Sequence, residues 1–232
     1  MDATVEGPRR GFRDRTEAGR MLVRLLDHYS SCSNLVILAL PRGGVPVASE
    51  IAAGLHAPLD VLVVLKIGAV QQPELALGAI ADGGSVILND EVIERLGLSA
   101  DAMAAAIAMK SAMIGSRVRS LQGDRAPISL TGATVILVDD GLATGASMRA
   151  AIAAVRERAP ARVVVAVPVA SREAAAAIGR VADDFIAIAC PRSFTSVGNW
   201  YRSFGQVRDD EVRSILDRAA IANRADRLQR PL

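Results

Sequence analysis

Two adjacent carboxylates followed by a loop of small residues have the clearest chemical potential in this 232-residue chain. Asp139 and Asp140 directly follow the apolar run 135–138, and the segment 141–147 after them reads Gly-Leu-Ala-Thr-Gly-Ala-Ser. A short apolar run of this kind indicates a buried strand, so we expect both acids at its carboxyl end. Glycines let a backbone approach a ligand closely, and the amides at a helix start suit a phosphate group.

This pattern favours a sugar phosphate as the ligand. The carboxylates would repel a bare polyphosphate but would accept hydrogen bonds from hydroxyl groups, while the loop would take the phosphate. The segment is not a P-loop, because only three residues separate Gly141 from Gly145 and no lysine follows. The alternative is a tight strand–helix turn whose acids are merely solvated.

Cations occupy two further strand ends. Arg42, Gly43 and Gly44 follow the apolar run 35–40, and a cation with two glycines suits an anion lying against the backbone. Lys66, one of only two lysines, ends the run 61–65. The alternatives are an exposed turn with an incidental arginine and a lysine whose apolar stem lies along the surface.

The remaining pattern predicts an α/β fold with a mostly parallel sheet. Short apolar runs alternate with amphipathic stretches, which is typical of a sheet covered by helices on both faces. Ligands of such sheets bind at the carboxyl ends of the strands. The predicted strands are 35–40, 61–65, 134–138, 163–167 and 185–189, with short strands at 76–80 and 86–88, and the predicted helices are 12–29, 45–55, 91–96, 100–121, 147–158, 172–180 and 209–228.

Composition excludes several classes of protein. The net charge of +2 is too small to indicate nucleic acid, so we expect no nucleic-acid partner. Two cysteines exclude a disulfide scaffold, and no apolar segment reaches the length of a membrane helix. The N-terminus has Asp2, Glu6, Arg9 and Arg10 before any apolar run, so it lacks a signal-peptide core. We therefore expect a cytoplasmic protein that does not enter the membrane.

Residues 135–147 resemble the phosphoribosyl-pyrophosphate binding motif of type I phosphoribosyltransferases. That motif has four apolar residues, two acids, and a small-residue loop with Thr-Gly and a final Thr or Ser; here Ala146 stands where glycine is common. A wider likeness, over about residues 12–215, links the chain to an uncharacterised bacterial branch of that family. It includes the segments 40–46 and 197–201.

The resemblance implies the roles of the site residues. Asp139 and Asp140 would hold the ribose hydroxyls, with Mg²⁺ nearby held mainly by the substrate. Arg42, Gly43, Gly44 and Lys66 would contact pyrophosphate, and the loop at 41–44 often contains a cis peptide in the family. The four charged residues would be the catalytic ones. The loop for the 5′-phosphate would comprise Gly141, Ala143, Thr144, Gly145, Ala146 and Ser147.

The resemblance also implies the architecture around the site. We expect a five-stranded type I phosphoribosyltransferase-like sheet in one domain over 1–232, with its core at about 30–190. A flexible loop would span about 67–85 and include Glu74, a candidate acceptor contact. A small hood would span about 190–208, with the N-terminal helix as a candidate part. There Trp200 and Tyr201 would either stack on the acceptor or pack a small satellite core.

The implied reaction moves ribose 5-phosphate from phosphoribosyl pyrophosphate to a nitrogen of a small, nucleobase-like acceptor and releases pyrophosphate. The 6-oxopurine enzymes of the family have an aspartate where this chain has Ala143, so hypoxanthine and guanine are disfavoured. The alternatives are a non-catalytic sensor of phosphoribosyl pyrophosphate that binds nucleic acid or a protein, and a phosphatase or phosphorolytic enzyme. The sequence does not decide whether the chain forms a homodimer.

Overall fold

The computed structural model describes residues 11–68, 76–123 and 125–229. The strands are β1 (Leu35–Ala39), β2 (Leu59–Val61), β3 (Val64–Gly68), β4 (Ala76–Ala81), β5 (Val86–Leu88), β6 (Thr134–Val138), β7 (Arg162–Val169) and β8 (Asp184–Ala189). The helices are α1 (Arg15–Leu26), α2 (Gly44–Gly54), α3 (Asp90–Leu96), α4 (Ala100–Gln122), α5 (Ala146–Arg156), α6 (Arg172–Gly179) and α7 (Asp209–Gln229), with 3₁₀ turns at Asp27–Tyr29 and Gly198–Trp200.

Five strands form a parallel sheet in the order β2–β1–β6–β7–β8. The register places the last residues of the three strands β2, β1 and β6 side by side, with Ala39 opposite both Val61 and Val138. The loops that follow these strands therefore meet at one edge of the sheet. The predicted α/β fold with a five-stranded parallel sheet flanked by helices is confirmed.

Alternating residues of each strand supply two separate cores. Leu35, Ile37 and Ala39 of β1 pack on one face with buried residues of α1, α2 and α7. Val36 and Leu38 pack on the other face with residues of α5 and α6. Both faces are covered, which explains why these strands read as continuous apolar runs in the sequence.

The apolar run 61–65 is not one strand, as the sequence predicted, but the junction of two sheets. The Leu62 amide donates to Ala39 O in the parallel sheet (2.9 Å), whereas Val63 O accepts from the Asp82 amide beside the second sheet (2.8 Å). That second sheet is antiparallel, with the order β3–β4–β5. The chain passes from one sheet to the other at Leu62 and Val63, and both residues are buried. Hydrophobicity alone therefore does not show where the first sheet ends.

The short strands predicted at 76–80 and 86–88 are present as β4 and β5. β4 lies within the segment expected to be a flexible loop at 67–85, and β5 directly follows that segment. Residues 69–75, including Glu74, lie outside the described part of the chain, so that expectation stays a prediction.

The N-terminal helix begins later than the apolar pattern predicted. α1 starts at Arg15 because the Asp14 carboxylate accepts from the Glu17 amide (2.8 Å) and caps the helix. Phe12 precedes the helix and pairs instead with the region of Tyr201, where the Phe12 amide donates to Trp200 O (2.7 Å). The N-terminal segment is thereby attached to the segment after β8.

Within the described ranges, no helix has both the length and the apolar character that crossing a bilayer requires.

Candidate functional site

Asp139 and Asp140 lie at the carboxyl end of β6, where the sequence placed them. The Asp140 amide donates to Asp139 Oδ1 (2.8 Å), which turns the first carboxylate back over the backbone of the second residue. Burial raises the pKa of both carboxyls, and the neighbouring charge of Asp140 raises the pKa of Asp139 further. Such a desolvated pair of acids gains most from a ligand that donates hydrogen bonds or carries positive charge.

Arg15 of α1 is the cation that opposes this effect. Its Nε and Nη2 atoms both lie 2.8 Å from Asp140 Oδ2. The two side chains are 12% and 14% exposed, so little water screens the pair. The positive charge of Arg15 counteracts the desolvation that raises the pKa of Asp140.

The loop 41–44 packs directly against the acids. A Cβ atom on Gly43 would lie 2.0 Å from Asp140 Oδ2, and one on Gly44 would lie 2.6 Å from Val138 O. Real side chains do not approach so closely, so both positions require glycine. The peptide bond between Pro41 and Arg42 is cis, as the resemblance suggested for this loop.

The segment 141–147 forms an open cup at the start of α5. Leu142 is fixed on both sides, since its amide donates to Val169 O (2.9 Å) and its carbonyl accepts from the Ser171 amide (2.8 Å). Gly145 has a φ of +73°, which favours glycine, and it turns the chain into α5. Ala143, Thr144, Ala146 and Ser147 are exposed.

The electrostatics of this cup suit an anion. The first amides of a helix have no partner within the helix and carry partial positive charge. Thr144 and Ser147 add hydroxyl groups, although Thr144 Oγ1 also lies 3.4 Å from the Ala146 amide, which donates to it. The cup and the two acids belong to one short stretch of chain, so their spacing is set locally.

Arg42 lines a cleft of about 380 Å³ beside the acids. Its Nη1 atom lies 3.5 Å from Asp209 Oδ1 at the start of α7. Arg117 of α4 binds the same carboxylate through both terminal nitrogens. The cleft is bordered by Arg15, Arg42, Gly43, Asp140, Phe204, Gly205, Gln206 and Val207.

Lys66 does not end a parallel strand, contrary to the sequence prediction. It lies in the middle of β3 in the antiparallel sheet, with Ala79 of β4 opposite it. There it is exposed and borders a cavity of about 180 Å³ together with Ser147 and Arg149 of α5. Lys66 is therefore beside the start of α5 and does not line the cleft that contains Arg42.

The aromatic residues after β8 form a packed cluster. Tyr201 is 7% exposed and its ring lies between Phe12 and Phe204, with centroid distances of 5.4 and 5.0 Å. Its hydroxyl donates to Asp140 O (2.6 Å), and burial raises its pKa. Trp200 is half-buried against the core. The tyrosine ring therefore braces the acidic loop, which favours the packing alternative for that residue.

Sequence reasoning missed Arg15 and Asp209. Arg15 is 125 positions from its partner Asp140, and it is one of many arginines in amphipathic helices. No local motif marks either residue. Only the folded chain brings α1 and α7 to the edge of the sheet where β6 ends.

Comparison with known proteins places the chain in a family. The family model described as the phosphoribosyl transferase domain matches residues 16–198. The chain belongs to this phosphoribosyl transferase domain family. The matched range contains the acids, the cup, Arg42 and Lys66, and it ends just before Trp200.

Two curated relatives come from Mycobacterium tuberculosis, strains CDC 1551 and H37Rv, and are provisionally named phosphoribosyl transferases. Each is 45% identical over 208 residues, which is 90% of this chain and 47% of the relative. The chain thus spans about half the length of these proteins.

Solved structures agree with the fold. A protein of Thermus thermophilus is 40% identical, with a TM-score of 0.76 over 89% of this chain and 97% of its own. A Neisseria gonorrhoeae protein crystallised with bound ppGpp has a TM-score of 0.50 at 11% identity, covering 94% of this chain and 99% of its own. The second likeness concerns the fold alone.

Proposed function

We propose that the chain transfers ribose 5-phosphate from phosphoribosyl pyrophosphate to a nitrogen of a small, nucleobase-like acceptor and releases pyrophosphate. The family supports a transferase that uses this donor. The nature of the acceptor and the roles of the individual residues are our proposal.

The observation that carries the proposal is the pair of carboxylates beside an anion-binding cup. Within the described part of the chain, neither Asp139 Oδ2 nor Asp140 Oδ1 accepts a hydrogen bond from another residue. Each acid therefore offers one oxygen, which suits the two adjacent hydroxyl groups of a ribose. The amides at the start of α5 would take the 5′-phosphate of the same sugar.

The pyrophosphate group would lie toward the loop 41–44. Arg42 is 35% exposed on its side chain and borders the cleft that also contains Asp140. Gly43 and Gly44 have no side chains, so nothing from these two residues separates the cleft from the acids. Catalysis would come from holding donor and acceptor in line and from stabilising the charge that develops on the leaving group.

The residues present fit Mg²⁺ held mainly by the donor. Carboxylate oxygens are ligands that Mg²⁺ prefers, and it usually binds through one or two carboxylates plus substrate phosphates. Among the described residues, no three histidine, cysteine or acidic side chains form a metal cluster. Asp139 and Asp140 would lie beside the ion. When bound, Mg²⁺ would neutralise the pyrophosphate that leaves.

A sensor that binds nucleic acid would need a basic surface, and the arginines of α7 give little support for one. Arg213 donates to Ser120 O (2.8 Å) and Arg218 to Ser214 Oγ (2.7 Å), so both side chains bind within the chain. The helix also begins with three acids, Asp209, Asp210 and Glu211. These acids and internal contacts reduce the positive charge that the described side chains of α7 offer to a nucleic acid.

Pyrophosphate release tests the proposal. The purified chain is incubated with phosphoribosyl pyrophosphate, Mg²⁺ and one of six bases: adenine, hypoxanthine, guanine, uracil, orotate or nicotinate. We expect release that depends on both the base and the metal. Donor binding by calorimetry without release with any base would favour the sensor, and no donor binding would contradict both functions.

A further inference from the structure

All three nitrogens of the Arg15 guanidinium bind parts of the cleft. Nε donates to Asp140 Oδ2 (2.8 Å), Nη2 lies 2.8 Å from the same oxygen as an ion pair, and Nη1 donates to Gly205 O (2.8 Å). The guanidinium carbon lies 3.9 Å from the centroid of the Phe204 ring. One side chain from α1 thus joins the acid at the end of β6 to the segment 204–207, which forms the opposite wall of the same cleft.

These contacts leave Asp140 little freedom. Two nitrogens of Arg15 lie 2.8 Å from Oδ2, and the backbone of Gly43 lies close to the same oxygen, because a Cβ atom there would be 2.0 Å from Oδ2. The Tyr201 hydroxyl holds the carbonyl of the same residue at 2.6 Å. Asp140 is therefore fixed by three separate parts of the chain, and only its Oδ1 atom is left for a ligand.

We propose that Arg15 is a positioning residue, which orients Asp140 toward the ribose of the donor and ties that acid to the segment 204–207 beside the same cleft. The inference rests on the proposed function, because the role assigned to Asp140 comes from there. The three nitrogens of the Arg15 guanidinium each lie 2.8 Å from Asp140 Oδ2 or from Gly205 O. The effect of Arg15 on the reaction passes through the acid.

A purely stabilising role explains the arrangement less well. A buried ion pair is weak support for stability, because the desolvation of two charges offsets much of their attraction. Here the pair lies at the edge of an open cleft, and the arginine occupies one oxygen while sparing the other. This geometry serves orientation of a ligand-binding acid.

Calorimetry with phosphoribosyl pyrophosphate and Mg²⁺ tests the role in function. We expect Arg15→Gln to weaken donor binding at least tenfold, because a neutral amide cannot replace the charged guanidinium at Oδ2. Arg15→Lys keeps the charge but not the paired contacts, so we expect roughly threefold to tenfold weaker binding. If Arg15→Gln does not fold, Arg15→Lys alone decides.

Arg20→Gln is the matched control. Arg20 lies on the same helix, and its Nε atom pairs with Glu50 (2.8 Å) on the surface, where its side chain is 65% exposed. Its replacement should leave donor affinity within twofold of the wild type. Equal donor affinity for Arg15→Lys, Arg15→Gln and Arg20→Gln would overturn the inference, whatever their thermal stability.

Crystal structures without any ligand give a second readout that does not depend on the reaction. In Arg15→Lys we expect the Asp140 carboxylate to rotate and the segment 204–206 to shift relative to the wild type. An unchanged Asp140 would contradict the inference. If wild type fails to bind the donor while Asp140 rotates in the variant, the proposed function fails and the positioning role of Arg15 stands.

Discussion

The two sides of the candidate site are built in different ways. The sugar-phosphate side comes from one continuous segment, 139–147, in which a strand end, two acids and a helix start follow each other. The opposite side combines Arg15, Arg42 and the segment 204–207, which are far apart in the sequence. Chain connectivity brings the residues of the first side together, whereas the second side depends on the packing of α1, α7 and the segment after β8. The two sides should therefore respond differently to substitution.

The largest expected effect is on the sugar side. The double replacement Asp139→Asn with Asp140→Asn should weaken binding of phosphoribosyl pyrophosphate at least 100-fold by calorimetry. Two hydrogen bonds to charged groups are worth about 3–6 kcal/mol together, and each 1.4 kcal/mol is about a factor of ten. Binding as tight as in wild type would show that neither acid contributes to the donor site.

The single replacements separate the two sides. Asp139→Asn removes a like charge beside Asp140 and keeps the Arg15 pair, so the free energy of unfolding should hardly fall. Asp140→Asn leaves the Arg15 guanidinium, 12% exposed, without its counter-charge, and such losses cost about 3–5 kcal/mol. Urea unfolding should show this difference, and equal losses would mean that Arg15 does not depend on Asp140.

The acceptor preference should show the next largest effect. With hypoxanthine or guanine as the acceptor, pyrophosphate should be released roughly ten- to a hundredfold more slowly than with the best base. Ala143 has no polar atom for the ring, and a lost hydrogen bond to a charged group costs about 1.5–3 kcal/mol. A 6-oxopurine that proves the best substrate by a wide margin would show that another residue takes this role.

Gly43→Ala should disturb both sides at once. Its methyl group would meet Asp140 Oδ2 and separate it from Arg15, and overpacking of this kind costs about 1–3 kcal/mol. Donor affinity and the free energy of unfolding should both fall. The control is Gly179→Ala at the end of α6, where a Cβ meets nothing within 4 Å. Equal urea midpoints for the two variants would contradict this close packing.

The smallest effect is expected at Arg42. Asp209→Asn removes the negative charge that lies 3.5 Å from the Arg42 guanidinium, so Arg42 should be held less firmly beside the cleft. We expect a twofold to fivefold change in KM for the donor and a stability change below about 1 kcal/mol, as is usual for partly exposed pairs. Asp210→Asn is the control, because its Arg208 partner is 76% exposed. Identical kinetics in both variants would exclude a role for Asp209.

The sequence by itself determined the parallel sheet and the sugar-phosphate segment. The apolar runs of β1, β6, β7 and β8 are continuous because both faces of the sheet are buried and buried positions carry apolar residues. The acids and the cup were recognisable because adjacent residues at a strand end must lie near one another. Chain connectivity alone brings such residues together.

Only the tertiary structure decided how the acids are held and where Lys66 lies. Arg15 reaches Asp140 across 125 positions, and nothing local distinguishes it from the other helical arginines. The run 61–65 crosses from one sheet to another at Leu62 and Val63, yet its residues stay buried throughout. Burial can be inferred from the residue types of a segment. The residues that a side chain contacts across the fold cannot, because they depend on packing geometry that no single segment contains.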